Sequence, residues 1–210
     1  MERHPRKKIV LLFAFLQTLL YIPLALLGYL IWKGVWQSYS VSSLIIAYTL
    51  LSVFSGIIYP VWFSWMGDLV PEYQRGIYFS KRHRIAAIAG LITLIAGLAL
   101  DIAEANGILL LGFSILFIIA GIFSAISLIL LRKQYSPVFK IKKDYYFSMF
   151  AFLKRFDSVG KFAVYYALLN AAMYLASPFF AVYMRENLQF NYLTITLVSL
   201  SSTVFYILFA

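Results

Sequence analysis

The sequence contains no cysteine, which excludes a disulfide framework, a thiol nucleophile and a Cys-ligated metal. It is also poor in charge. Asp, Glu, Lys and Arg make up 12% of its 210 residues and apolar types 63%, whereas a soluble globular domain carries roughly a quarter of its residues charged. A chain this long can bury a core, but these few charged side chains cannot cover its surface, so lipid must be the solvent for most of it. Ionisable groups are missing from the interior of the apolar runs too. Both histidines, His4 and His83, lie at the edges of such runs, and no Asp, Glu or His falls near the middle of one. Carboxylate pairs and metal-ligand spacings are absent as well, so no catalytic residue, metal or cofactor is expected, and a proton relay within these runs finds no support. A retained first helix is expected rather than a cleavable signal: the basic start leads into Ile9–Trp32, too long for a signal core, and Leu30-Ile31-Trp32 is not a small-residue cleavage site.

What is present is a series of long windows almost free of charge. A lone Lys, Arg or Asp at mid-bilayer costs about 2.5–3.5 kcal/mol on insertion scales, so such windows mark the spans. Span A covers Ile9 to Trp32, 24 residues, enough at ~1.5 Å per residue to cross a hydrocarbon layer of ~30 Å. Span B is expected over Val41–Met66, C over Ile85–Leu100, D over Ile108–Leu131, E over Phe162–Met184 and F over Tyr192–Ala210. The expected fold class is therefore all-α, a polytopic integral membrane bundle with six transmembrane helices. Spans C and D form a hairpin, because DIAEANG between them brings together Asp101, Glu104, Asn106 and Gly107, the polar, helix-stopping chemistry of a membrane surface. Residues 132–160 are too few for a domain with its own core. They read as a basic linker between a four-span part, 1–131, and a two-span part, 161–210. Inside it Phe147, Phe150, Ala151 and Lys154 recur at helical spacing, as in a short helix lying among headgroups, though a basic tether would look the same.

The cations set the orientation. Of 18 Lys and Arg, all but Lys33 and Arg185 fall in one alternate set of loops, and short loops rich in these residues stay cytoplasmic. Both termini are expected in the cytoplasm. The net charge of +10 is thus mostly topology; with the cations divided among membrane flanks, no nucleic-acid face is assembled.

The loop between B and C carries more than cations. In WMGDLVPEYQRGIYFSKRHRI, with Trp62 just before it, the rings of Trp62, Trp65, Tyr73 and Tyr78 sit where amphipathic aromatics prefer the interface. Pro71 suits the first turn of a short helix, with Asp68 as its cap and Glu72 near its positive end. Asp68, Glu72, Arg75, Arg82 and Arg84 read as a charge network between helix ends that rearranges. The plainer alternative is an ordinary positive-inside loop whose cations, Lys81 included, face anionic headgroups.

Each of two spans carries one polar stripe. Tyr48, Ser52, Ser55 and Tyr59 in span B, and Tyr166, Asn170, Tyr174 and Ser177 in span E, recur every three or four residues, so each set falls on one arc of its helix. Hydrocarbon offers such groups no partner, so they face the bundle or a water-filled path. They are candidates for solute contact, with hydrogen-bonded glue between helices as the alternative. Ala86, Gly90, Thr93 and Gly97 form a small-residue face on span C that lets another helix approach. Pro23, Pro60 and Pro178 lie where they would kink their spans.

GDLVPEYQRGIYFSKR after a helix containing IIYPVWFSW, and YALLNAAMYLASPFFAVYMRENLQFNYLTITLVS after the basic linker, together resemble a branch of the major facilitator superfamily of secondary transporters. The elbow looks like that family's connector between its fourth and fifth helices, ASPFFAVYM like its seventh helix, and HPRKKIV like the tail of the loop joining the second and third. On this alignment spans A to F correspond to helices three to eight. The family's signature loop, glycine followed after three residues by Asp-Arg, is absent: Gly67 and Asp68 are adjacent. Helices one, two and nine to twelve have no counterpart, so the expectation is a secondary transporter that moves a small solute by alternating access, present as a truncated copy that need not be active, with a non-transporting six-span scaffold or gene remnant as the alternative. The resemblance implies a multi-pass protein of the cell membrane and a central solute pathway lined by spans B and E. Its implied partners are the lipid bilayer, a small solute and the remaining helices of the same transporter.

Overall fold

The computed structural model describes residues 6–35, 37–136 and 157–209. They form seven α-helices: α1 Arg6–Trp32, α2 Ser40–Leu69, α3 Arg75–Gly90, α4 Thr93–Ala105, α5 Leu109–Lys133, α6 Ser158–Glu186 and α7 Tyr192–Phe209. Two 3-10 turns, Gln37–Tyr39 and Glu72–Gln74, precede α2 and α3, and no strand occurs among the described residues. Five stretches are long and apolar enough to cross a membrane: Arg6–Trp32, Gln37–Leu69, Glu72–Ala105, Leu109–Lys133 and Gly160–Glu186. The last helix, α7, has 18 residues and is apolar over a shorter stretch, Tyr192–Ser201. The all-α membrane bundle expected from composition is what the chain forms. The surface helix or tether expected within 132–160 lies outside the described residues.

The third span differs from expectation in two ways. It begins at Arg75, ten residues before Ile85, so Lys81, Arg82 and Arg84 lie on helix rather than in a loop. A charge-free window cannot find such a start, yet the apolar stems of Arg and Lys run along a helix while their heads reach water or a partner. The span is also broken. After Gly90 the amides of Leu91, Ile92, Leu94 and Ile95 bond carbonyls three residues back, at 3.0–3.1 Å, a 3-10 tightening that separates α3 from α4. The Thr93 hydroxyl donates to the Gly90 carbonyl across this break, at 2.6 Å.

Turn chemistry fixes the reversals. Gly107 has φ +69°, its amide bonds the Glu104 carbonyl, and the Ile108 amide bonds that of Ala103. This pairing satisfies the last carbonyls of α4 and needs the left-handed conformation glycine adopts without strain. Gly34, at φ +78°, ends α1 in the same manner. At the start of α6 the Asp157 carboxylate accepts from the Gly160 amide at 2.9 Å, an N-cap.

Packing is organised around α1, which lies between α2 and α5. A β-carbon on Gly28 would come within 3.2 Å of the Leu110 carbonyl, and one on Gly121 within 3.1 Å of Tyr21 Cβ, so both contacts with α5 depend on glycine. Then α5 approaches α4 where Gly112 faces Ala103, and α4 approaches α7 where Gly97 meets Tyr192 and Leu193. The small-residue face of span C thus receives α7, with Gly90 facing Leu200 further along. Between α1 and α2 a core forms from Val10, Val61, Trp65 and Met66. Trp65, expected as an interface anchor, is instead only 1% exposed, because it stands one helical turn from Val61 on the face turned to α1. Between Lys161 and Glu186 no described residue of α6 is buried. Pro23, Pro60 and Pro178 all lie inside helices, in α1, α2 and α6.

Candidate functional site

The helices alternate in direction, so polar contacts gather at two ends. At the end carrying Arg6, Arg75 and Lys133, here the basic end, Arg6 pairs with Asp68, and the Lys7 ammonium donates to the Gln134 carbonyl at 2.6 Å. Asp68 therefore serves α1; it does not cap the turn after Pro71, which has no side-chain cap. Arg75 Nε donates to the Val70 carbonyl at 3.1 Å, closing the elbow, and its guanidinium lies 3.6 Å from Glu72. Arg82 is stacked over the Trp62 ring, 4.2 Å from its centroid, and Arg84 is exposed. The five charged elbow residues are thus divided among an interhelical pair, a local pair, an aromatic stack and an exposed surface cation.

Arg82 and Trp62 form one wall of a cleft of about 450 Å³ between α1, α2, α3 and α5, whose other polar lining is Gln17, Ser55, Tyr59 and Ser127. Gln17 Nε2 donates to Ser55 Oγ at 2.9 Å, and Ser55 donates in turn to the Leu51 carbonyl. Gln17 lies 11 residues beyond Arg6, about 16 Å into the bundle. Of the polar stripe on α2, Ser55 and Tyr59 line this cleft while Tyr48 and Ser52 do not. The α6 stripe stands elsewhere. Tyr166 and Tyr174 are exposed, Ser177 is exposed, and Asn170 Nδ2 donates to the carbonyl of Tyr166 on its own helix at 2.7 Å.

Sequence reasoning missed Gln17 and Ser127, and for Gln17 a signal existed: an amide deep in an apolar run is costly unless it finds a partner. It also missed a cluster at the opposite end. Asp101 of α4 accepts the Tyr192 and Leu193 amides at 2.7 and 3.0 Å, capping α7. Glu104, one turn on, pairs with Arg185 of α6. Arg185 also donates to the Phe190 carbonyl at 3.0 Å and lies 4.5 Å from the centre of the Tyr192 ring. These contacts join the first four spans to the last two.

Two other grooves flank α1, about 620 Å³ against α5 and about 470 Å³ against α2. Their walls are almost wholly aliphatic and aromatic, suited to acyl chains. Among the described residues no cluster of His, Asp or Glu is placed to hold a metal.

No curated protein and no solved structure matches the chain. The family model of the Major Facilitator Superfamily matches residues 1–210, and with its apolar helices, their small-residue contacts and a polar cleft within the bundle, the chain belongs to that superfamily of secondary transporters.

Proposed function

We propose that the chain contributes to moving a small solute across the cell membrane by alternating access, with both termini cytoplasmic and the cleft at Gln17, Ser55, Tyr59 and Arg82 as part of the solute path. The observation that carries this reading is an asymmetry. Polar groups line a cleft toward the basic end, while at the opposite end Asp101, Glu104 and Arg185 hold the two parts of the chain together. Alternating access requires such a pairing of an open side with a fastened one, and a fastening made of separable polar contacts. Tyr48, Ser52 and the α6 stripe of Tyr166, Asn170, Tyr174 and Ser177 enter the path in this reading only when α6 and α2 approach one another.

Because the native chain has no cysteine, each point is open to single-cysteine labelling with a membrane-impermeant thiol reagent. A Tyr59→Cys chain should react from the cytoplasmic side. Adding Glu104→Gln, which removes the negative charge that Arg185 pairs with, should increase its reaction from the opposite side several-fold. A scaffold would leave it unreactive from both sides, or indifferent to Glu104. Lys81→Cys and Ala105→Cys should label from opposite faces, and labelling from one face would overturn the orientation.

A further inference from the structure

Arg82 differs from the other arginines that make contacts. Arg6, Arg75 and Arg185 each lie against an acid. Arg82 is half-buried, and in place of an acid it has the face of Trp62. A ring quadrupole attracts a cation without neutralising it, and among the described residues no carboxylate lines the cleft that Arg82 walls. A guanidinium resting 4.2 Å above an indole ring is restricted in where it can point, and its N–H fork, without an acid partner among the described residues, fits an oxyanion by two parallel hydrogen bonds. The rest of the lining is suited to the remainder of such a ligand: the hydroxyls of Tyr59 and Ser127 both donate and accept, and Gln17, one of whose N–H groups is given to Ser55, keeps its amide oxygen and second N–H. The volume, about 450 Å³, is that of a site for a small organic molecule rather than for a bare ion. The charge of the whole chain, +10, would draw anions to its basic end.

We infer that this cleft is an oxyanion site, in which Arg82, oriented by Trp62, takes the carboxylate or phosphate of a small ligand. The inference deepens the transport reading, on which it rests for the identity of the ligand as cargo. The same chemistry is offered by two sources, a free anionic solute and the phosphate of a lipid headgroup, because Arg82 stands seven residues from Arg75, about 10 Å from the elbow.

The test uses the full chain in maltoside micelles at constant ionic strength, with chloride as the balancing anion. Thermal unfolding is followed against inorganic phosphate, against succinate, and against phosphatidylglycerol with phosphatidylcholine as its neutral control. The expected result is a saturable rise of the midpoint with phosphate or succinate. Arg82→Gln should raise the apparent Kd by about ten-fold or more, the loss of a charged hydrogen-bonding partner, and Arg84→Gln by less than about two-fold. A rise with phosphatidylglycerol alone that is lost in Arg82→Gln would assign the site to the headgroup. No rise with any of the three, or equal loss in the Arg82 and Arg84 variants, would overturn it. Should Arg82→Gln fail to fold, Arg82→Lys keeps the charge without the fork and Ser127→Ala removes one hydroxyl; affinity equal to wild type in both would overturn the site equally. Anion binding with Tyr59→Cys inaccessible from both sides would retire the transport reading and keep this site; access without anion binding would do the reverse.

Discussion

At the basic end the polar contacts join helices of the first part of the chain, Arg6 of α1 to Asp68 of α2 and Lys7 to the carbonyl that follows α5. At the opposite end they cross the linker, from Asp101 and Glu104 of α4 to the start of α7 and the end of α6. The apolar packing follows the same division. The core of Val10, Val61, Trp65 and Met66 binds α1 to α2 near the basic end, whereas α4 and α7 meet at a glycine. One end holds a unit together and the other holds two units to each other. If the chain works by alternating access, as proposed, its separable joint belongs to the second kind of contact, where a few polar groups and one close glycine approach join helices from either side of the linker.

The strongest way to break the joint is to fill it. In Gly97→Leu the new β-carbon would meet Thr196 Oγ1 at 2.8 Å, and also the Leu193 Cα and Tyr192 carbonyl, both at 3.2 Å. Threonine can rotate, but the backbone of α7 cannot, so α4 and α7 must part. Unfolding by SDS titration should show a loss of about 1–3 kcal/mol, the cost of overpacking. A Gly56→Leu control, which has open space around it, should change little. Equal losses would mean that glycine flexibility, and not close approach, sets the cost.

Next in size is the cap. Asp101 supplies two acceptors to the first amides of α7, and removal of a capping side chain costs about 0.5–2 kcal/mol. Asp101→Ala should fall in that range on the same titration and expose residues 192–196 to amide exchange before α1 or α2. Protection lost first in α1 would reverse the order of cohesion argued for the two ends.

The two ends were unequally legible in the sequence, for a physical reason. Spans could be read because the cost of burying charge in lipid is large and local, so a charge-free window marks each one. The same rule misplaced the start of α3, where Arg75, Lys81, Arg82 and Arg84 interrupt the window without interrupting the helix. The cleft was half visible: Ser55 and Tyr59 repeat with helical period on α2, while Gln17 and Ser127 are single polar residues on other helices, and a single residue has no period. At the fastened end Asp101 and Glu104 read as turn chemistry, which they also are. Their partners lie 91 and 81 residues away, and nothing in local spacing indicates a contact made by the fold of the whole chain.

A smaller effect is expected at the basic end. The Arg6 and Asp68 side chains are 24% and 41% exposed, so solvent and salt screen their attraction. A double-mutant cycle with Arg6→Ala and Asp68→Ala should give a coupling of about 0.5 kcal/mol, falling further in high salt. A coupling well above 1 kcal/mol would mean that the basic end, too, is held by its charges and that the contrast between the ends is one of partners only.

The smallest change tests whether the basic end is a packed core. Trp65 is 1% exposed, and its indole Nε1 has no hydrogen-bond partner among the described residues. Two terms of opposite sign follow from replacing it with phenylalanine. Removing a buried, unsatisfied N–H relieves a penalty of about 1–3 kcal/mol, while the smaller ring gives up apolar contact and leaves a void against Val10 and Met66, a loss of comparable size. The terms nearly cancel, so Trp65→Phe should lie within about 1 kcal/mol of wild type on SDS titration. Trp65→Ala, which empties the site, belongs to a class that costs about 3–5 kcal/mol. A near-neutral phenylalanine beside a costly alanine is the signature of cohesion by shape and apolar area. If phenylalanine proves as costly as alanine, the indole N–H has a partner, and the basic end is fastened by a polar bond after all.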